Sequence, residues 1–301
     1  MFQNFFIYPK APFDFDLNCR VFGYQKPMPE VYNESIWRRA VKLDSGKLVP
    51  VSLLSKGTIQ DPKIELQYFG EKLDAKEKQD LTEKLDNIFS FSQDLTELYK
   101  FMEQNKEIAD LKNQFVGLKA AGFGITVFEC FIKSIIQQQI SIKVAYSITN
   151  KMVTRFGDSI KVNDLIYYDF PTPEKFTKIS LQEIRKCGVS WRKAQCIKEI
   201  AQQVTNNKFD AEGLVLLSNA EVTEALKHFH GVGTWTAEMV LFAGLKRSTA
   251  IPAGDLGVRR TVSNFYSDNK LLTETQVRKI ANNWGKFTND IVYYISCIER
   301  T

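Results

Sequence analysis

The stretch 228-HFHGVGTWTAEMVLF-242 decides how this chain is read. Just upstream, Ser218 and Glu221 make an S-x-x-E pattern, in which each side chain satisfies a backbone N–H that a helix start leaves open. Val222, Ala225, Leu226 and Phe229 then trace one helical face, and the helix is expected to stop at His230-Gly231-Val232-Gly233. A second helix starts near Thr234. Glycines on either side of Val232 let the backbone turn sharply, while the valine can plug the space between the two helices. The amides of the turn and of the next helix's first residues have no partner within the helix, so they can grip a phosphate oxygen. His230, Gly231, Val232, Gly233 and Thr234 are thus candidate contacts to a nucleic-acid backbone.

The totals permit such a partner without demanding one. The 301 residues carry 40 basic and 35 acidic side chains, a net charge of +5. The five cysteines, Cys19, Cys130, Cys187, Cys196 and Cys297, form no C-x-x-C pair. Neither a zinc site, an iron–sulfur site nor a disulfide framework is expected, and a reducing cytoplasm is the expected setting. No apolar run approaches the length of a membrane span, and the N-terminus lacks the features of a signal peptide.

Working outward, residues 1–70 read as strands. In 13-FDFDLNCR-20, Phe13, Phe15, Leu17 and Cys19 alternate with polar residues, a period of two. The stretches 36-IWRRAVKL-43, 48-LVPVSLL-54 and 63-KIELQYFG-70 are similarly β-rich, and 45-SG-46 and 56-KG-57 mark turns between them. From about residue 73 the pattern is helical, with 100-KFMEQNKEIADLKNQF-115 as a charged solvated helix or linker. Phe128, Phe131, Ile132, Ile135 and Ile136 define the clearest helix, which runs into 137-QQQIS-141 before another begins. The prolines of 170-FPTPEKFTKIS-180 mark a loop and then a helix start. One internal echo stands out: 187-CGVSWRKA-194 matches 230-HGVGTWTA-237 with one residue fewer, which predicts two helical hairpins of related design. Around the first of them Arg185, Lys186, Arg192 and Lys193 could neutralise phosphates.

Further along, 249-TAIPAGDLGVRRTV-262 places Asp255 beyond the second helix and behind a proline, just before a basic helical start. The hairpin with this distal aspartate resembles the HhH-GPD superfamily of DNA glycosylases. I-P-A-G-D-L-G-V-R-R, 128-FECFIKSIIQQQIS-141, 170–197 and 284-WGKF-287 resemble its AlkA-like branch, the DNA-3-methyladenine glycosylases II. The resemblance spans roughly residues 120–290. It implies an α+β fold, in which an N-terminal antiparallel sheet domain precedes an all-helical helix-hairpin-helix core of two subdomains. The expected divisions are an α/β domain at 1–104 and a linker helix at 105–126 that packs with the C-terminal helices. A helical domain at 127–247 holds the hairpin at about 218–245, and a C-terminal helical segment at 248–301 carries the aspartate.

The chemistry implied is cleavage of an N-glycosidic bond. A carboxylate near C1′ would stabilise positive charge on the sugar and orient or deprotonate the attacking water, and Asp255 is the candidate. In bifunctional members of the superfamily the position of Trp235 is a lysine that attacks C1′. Tryptophan has no nucleophile, so the resemblance implies a monofunctional glycosylase that leaves an abasic site. Lys246 reads as an ordinary helix-end cation. Trp235, Trp284 and Phe287 are expected in an aromatic base pocket with Met239, which stands where the branch often has tyrosine. Gln137, Gln138, Gln139 and Ile140 lie where the family places its wedge, with Gln138 and Gln139 favoured to fill the vacated base position. The carbonyls of Phe229 and Gly231 are candidate holders of a structural Na⁺ or K⁺; no other cofactor is expected. The expected partner is double-stranded DNA with damaged bases, met by a monomer away from membranes. Two alternatives stay open: a glycosylase for another lesion, such as hypoxanthine or 8-oxoguanine, and a non-catalytic DNA-binding protein.

Overall fold

The computed structural model describes residues 2–21, 28–268 and 270–298. The β-rich runs form β1 (Phe2–Ile7), β2 (Val31–Asn33), β3 (Ile36–Lys42), β4 (Leu48–Ser55) and β5 (Ile64–Phe69). They make one antiparallel sheet in the order β1-β5-β4-β3-β2. Trp37 lies opposite Leu53, and Leu53 opposite Leu66, so the register lines up apolar side chains across the central strands.

One expected strand is a helix. Within 13–20 the chain forms α1 (Phe15–Arg20), capped by Asp14, whose side chain accepts the Leu17 amide at 2.9 Å. Phe15, Asn18 and Cys19 turn inward, a helical spacing that the alternation concealed. Asn18 settles the choice through distant partners. Its amide donates to the Gly117 carbonyl at 2.8 Å, and its Oδ1 accepts the Lys119 amide at 3.0 Å.

Helix α2 (Ala75–Phe89), started by a capping box of Asp74 and Glu77, lays Leu81, Leu85 and Ile88 on the core that holds Trp37, Val51 and Leu66. The charged stretch at 100–115 is less solvated than expected. It contributes to α3 (Thr96–Glu103) and α4 (Ala109–Gln114), whose Met102 and Leu111 are buried against Val262 and Ile291.

Two long helices follow, α5 (Val127–Gln137) and α6 (Ile142–Phe156). Beyond them the all-helical expectation fails: β6 (Ser159–Val162) and β7 (Leu165–Tyr168) pair as a hairpin. Asn163, at φ +53°, and Asp164 make its two-residue turn. Its Val162 and Tyr167 pack on Ala40 of β3, and the Tyr167 hydroxyl lies 3.1 Å from Ser52 Oγ.

The remaining helices are α7 (Pro173–Lys178), α8 (Leu181–Lys186), α9 (Trp191–Thr205), α10 (Asn219–Lys227), α11 (Thr234–Met239), α12 (Leu256–Tyr266), α13 (Glu274–Asn282) and α14 (Thr288–Ile298). Phe131, Ile197, Leu226 and Val240 belong to one core, built from α5 to α11. A separate core joins α3 and α4 to α12, α13 and α14.

A buried charge cluster ties the sheet to α5. Arg39 of β3 is fully buried and meets Glu30 at 2.8 Å, Asp169 at 2.6 Å and Glu129 of α5 at 3.2 Å. Lys133, one turn along α5, meets Glu129 at 2.6 Å. Burial opposes the charge on Arg39, but Glu129, Glu30 and Asp169 outweigh it and raise its pKa. No helix among the described residues is long and apolar enough to cross a membrane.

Candidate active site

The quoted stretch folds as two short helices around a tight turn. Ser218 and Glu221 form the full capping box of α10, and Val232 is buried between the helices. Gly231 sits at φ +93°, a conformation open to glycine and costly for other residues. The turn leaves His230, Gly233 and Thr234 exposed. The amides of Thr234 and Trp235, which open α11, find no backbone acceptor among the described residues. Gly231→Ala is expected to cost about 1–2 kcal/mol, because the backbone is left-handed and a Cβ would stand 3.2 Å from Arg192 Nε. Chemical denaturation checks the loss, and a DNA titration is expected to show weaker binding by the same variant.

The echo at 187–194 is structural as well. Gly188, at φ +115°, and buried Val189 join α8 to α9 as Gly231 and Val232 join α10 to α11. The two hairpins meet where Arg192 lies on Gly231. Arg185, Lys186 and Arg192 are exposed, with Arg185 over the Trp191 ring at 4.9 Å and Lys186 paired to Glu183 at 2.5 Å. Lys193 is not turned outward. Its ammonium donates to the Ile136 and Gln138 carbonyls at 2.9 and 2.5 Å, closing the C-terminus of α5, and burial lowers its pKa.

Asp255 caps α12. Its Oδ1 accepts the Val258 amide at 3.1 Å, and its Oδ2 accepts the Trp235 Nε1–H at 2.9 Å. Thus both oxygens are held, one by a helix start that favours negative charge and the other by the hairpin's tryptophan. Trp235 and Asp255 share the wall of a cavity of about 510 Å³. Met239 lines it too, as do Gln137 and Ile140 at the end of α5.

Four aromatic residues of the wall went unread in the sequence: Phe123, Tyr146, Phe242 and Tyr293. Phe242 lies in a π-helical turn, Val240–Gly244, in which the Leu245 amide reaches back five residues to Val240 at 2.8 Å. Phe123 is set by a loop that bonds to Ile88 through the Gly122 amide and to Ala243 through its own. Only glycine fits at 122, since a Cβ would lie 2.0 Å from the Asn87 carbonyl. Glu30 and Lys133 also reach this cavity. A larger cavity of about 690 Å³ lies between the sheet and α5, lined by Lys42, Asp169 and Glu212, and includes neither Asp255 nor Trp235.

Several expected residues lie elsewhere. Trp284 is buried in the C-terminal core, where its Nε1–H donates to the Tyr266 hydroxyl at 3.1 Å. Phe287 packs on Phe101, with ring centroids 5.0 Å apart. Neither touches the cavity, because the turn after α13 aims both at α3 and α12. Gln138 does not point outward: its Nε2 donates to the Gly231 carbonyl at 3.0 Å and to Thr236 Oγ1 at 2.9 Å. It latches α5 to the hairpin. Gln139 is exposed at φ +56°, and Ile140 is exposed at the cavity's edge. Of the two candidate cation-holding carbonyls, that of Gly231 takes the Gln138 amide and that of Phe229 the Val232 amide at 3.1 Å. Lys246 is no ordinary helix-end cation. Its ammonium crosses to the Asp86 carbonyl at 2.9 Å and Ser90 Oγ at 3.0 Å, capping α2 of the other domain.

Residues 132–286 match the HhH-GPD superfamily of base excision DNA repair proteins. A solved 3-methyladenine DNA glycosylase from Archaeoglobus fulgidus superposes with a TM-score of 0.89, at 34% identity over 98% of both chains. A DNA-3-methyladenine glycosylase of Bacillus subtilis is 24% identical over 288 residues, 93% of each chain. The Schizosaccharomyces pombe 3-methyladenine DNA glycosylase, solved in complex with abasic DNA, matches at 25% identity with a TM-score of 0.56, covering 67% of this chain and 95% of that one.

Proposed function

The chain belongs to the HhH-GPD superfamily of base excision DNA repair proteins, and from that membership we propose a monofunctional DNA glycosylase for alkylated purines of the 3-methyladenine type. The observation that carries the reading is Asp255, held by Trp235 and the start of α12 in the wall of an aromatic cavity beside the hairpin.

In this reading the hairpin amides, with Arg185, Lys186 and Arg192 alongside, dock the DNA backbone, and the damaged nucleotide swings into the cavity. Exposed Ile140 at the cavity's edge takes the space the base leaves, while Gln138 keeps its latch. The C1′–N bond breaks, its electron pair leaving with the base. Asp255 stabilises the charge that grows on the sugar and orients the water, whose oxygen bonds to C1′ as its proton passes to Asp255 or to solvent. An alkylated purine already carries positive charge, so it departs with little acid catalysis.

The amines near the site fit water as nucleophile. Lys133 lines the cavity, but there burial is outweighed by Glu129 and Glu30, which keep its pKa raised and the amine protonated. Lys246 spends its donors on α2. The enzyme is expected to act as a monomer in the cytoplasm.

The deciding experiment incubates the protein with double-stranded DNA carrying methylated bases, hypoxanthine or 8-oxoguanine and identifies the bases released, with and without borohydride. Free 3-methyladenine with no covalent protein–DNA adduct is the expected result. Release of 8-oxoguanine or hypoxanthine alone would replace the substrate assignment, and a trapped adduct would replace the monofunctional one.

A further inference from the structure

Bond cleavage at Asp255 leaves one carboxylate of the cavity unused. Glu30 belongs to the N-terminal domain, one residue before β2, yet it lines the same cavity as Asp255 and Trp235. It is only 7% exposed. Its Oε1 accepts a hydrogen bond from Arg39 Nη1 at 2.8 Å. Its Oε2 stands 3.6 Å from the Lys133 ammonium, outside hydrogen-bond reach, and has no hydrogen-bond donor among the described residues. Lys133 is turned to Glu129 instead, at 2.6 Å. Glu30 thus lines the cavity with one carboxylate oxygen that no donor among the described residues bonds, which leaves it open to a donor on a ligand.

The charges behind Glu30 point the same way. Arg39 and Lys133 are set against three carboxylates, Glu30, Glu129 and Asp169. Asp169 accepts from Arg39 and from the amides of Lys42 and Phe170, donors that suit an ionised acceptor. The cluster therefore carries one more negative charge than positive. Aromatic faces alone attract a cation modestly, and a buried anion adds to that attraction.

We infer that Glu30 is a specificity-determining residue, whose Oε2 accepts an amino N–H of the flipped base and whose charge selects cationic, N-alkylated purines over neutral ones. The assignment builds on the glycosylase reading and adds a contact from the N-terminal domain to it. Lys133 does not cancel the selection, because it pairs with Glu129 at 2.6 Å and stands farther, at 3.6 Å, from Glu30 Oε2.

Glu30→Gln keeps the shape of the side chain and removes its charge. Single-turnover release of 3-methyladenine and 7-methylguanine is expected to fall about tenfold, while release of a neutral base such as hypoxanthine changes by less than about threefold. Equal loss for charged and neutral bases, or no loss for either, would overturn the assignment. A second measurement needs no variant and no turnover. Quenching of tryptophan fluorescence is expected to show tighter binding of the 3,9-dimethyladeninium cation than of neutral 9-methyladenine by the wild-type protein. Equal affinities overturn the role of Glu30 even if Glu30→Gln fails to fold. Failure of the glycosylase reading looks different, since no base of either kind would then be released while the cation preference persists.

Discussion

Asp255→Asn is expected to cut single-turnover base release by about a hundredfold or more, while affinity for undamaged DNA stays within about threefold. Asparagine keeps the size of the side chain and can still accept the Val258 amide, so the start of α12 survives. What disappears is the negative charge facing the sugar as the base departs. Its single oxygen accepts one of the two donors that Asp255 satisfies, so with the Val258 cap kept the Trp235 indole faces the amide NH2 and loses its bond. Substantial residual excision would remove Asp255 from the chemistry. A parallel loss of DNA affinity would mean that the side chain holds the fold rather than the reaction. Quantifying released base and DNA binding on the same preparation separates the three outcomes.

Arg39→Ala is expected to destabilise the protein by about 3–5 kcal/mol, the cost of stranding a buried ion-pair network. Glu30, Glu129 and Asp169 lose their shared partner, and Lys133 alone cannot compensate three carboxylates. Urea unfolding measures the loss; a change below about 1 kcal/mol would show that water or local rearrangement takes over the guanidinium's role. The pH dependence has a definite sign. Arg39 and Lys133 hold the Glu129 pKa below that of an ordinary glutamate despite its burial. Its contribution is complete above the ordinary glutamate range and is lost as pH falls through the depressed folded value. Asp169 acts oppositely, since burial raises its pKa above that of an ordinary aspartate. Its ionisation thus costs stability as pH rises through the acidic range. Arg39→Ala should remove part of the acid sensitivity that Glu129 confers, the part due to the guanidinium, while Lys133 sustains the rest.

Among the helices, the features legible in advance were those set by neighbours along the chain. The capping box of Ser218 and Glu221, the Gly-Val-Gly turn and the helix start after Asp255 each depend on residues within a few positions, and each formed as read. The missed elements have equally specific causes. Residues 13–20 alternate like a strand, but Asp14 caps a helix there and Asn18 binds Gly117 and Lys119, about a hundred positions away. In 159-SIKVNDLIYY-168 the alternation around Asn-Asp was visible, but it was submerged in a helical stretch.

The candidate site divides in the same way. Asp255, Trp235, Met239 and the hairpin could be picked out because they lie on one continuous stretch with a recognisable order. Trp284 and Phe287 could not be judged so. An aromatic residue's destination depends on the rotation of its helix, and theirs turns them into the core. Gln138 was read as a free amide because its partners, Gly231 and Thr236, are distant in sequence.

By itself the sequence determined the local machinery: where helices begin, where the hairpin turns, and that tryptophan rather than lysine precedes the candidate aspartate. Those follow from short-range hydrogen bonding, backbone preference and residue chemistry. Only the tertiary structure decided which side chains face the cavity. Glu30, Phe123, Tyr146 and Phe242 come from four separate segments and converge there through packing and a buried charge cluster. Periodicity marks the face of an element as apolar or polar, but which surface that face meets is set by the packing of the whole chain.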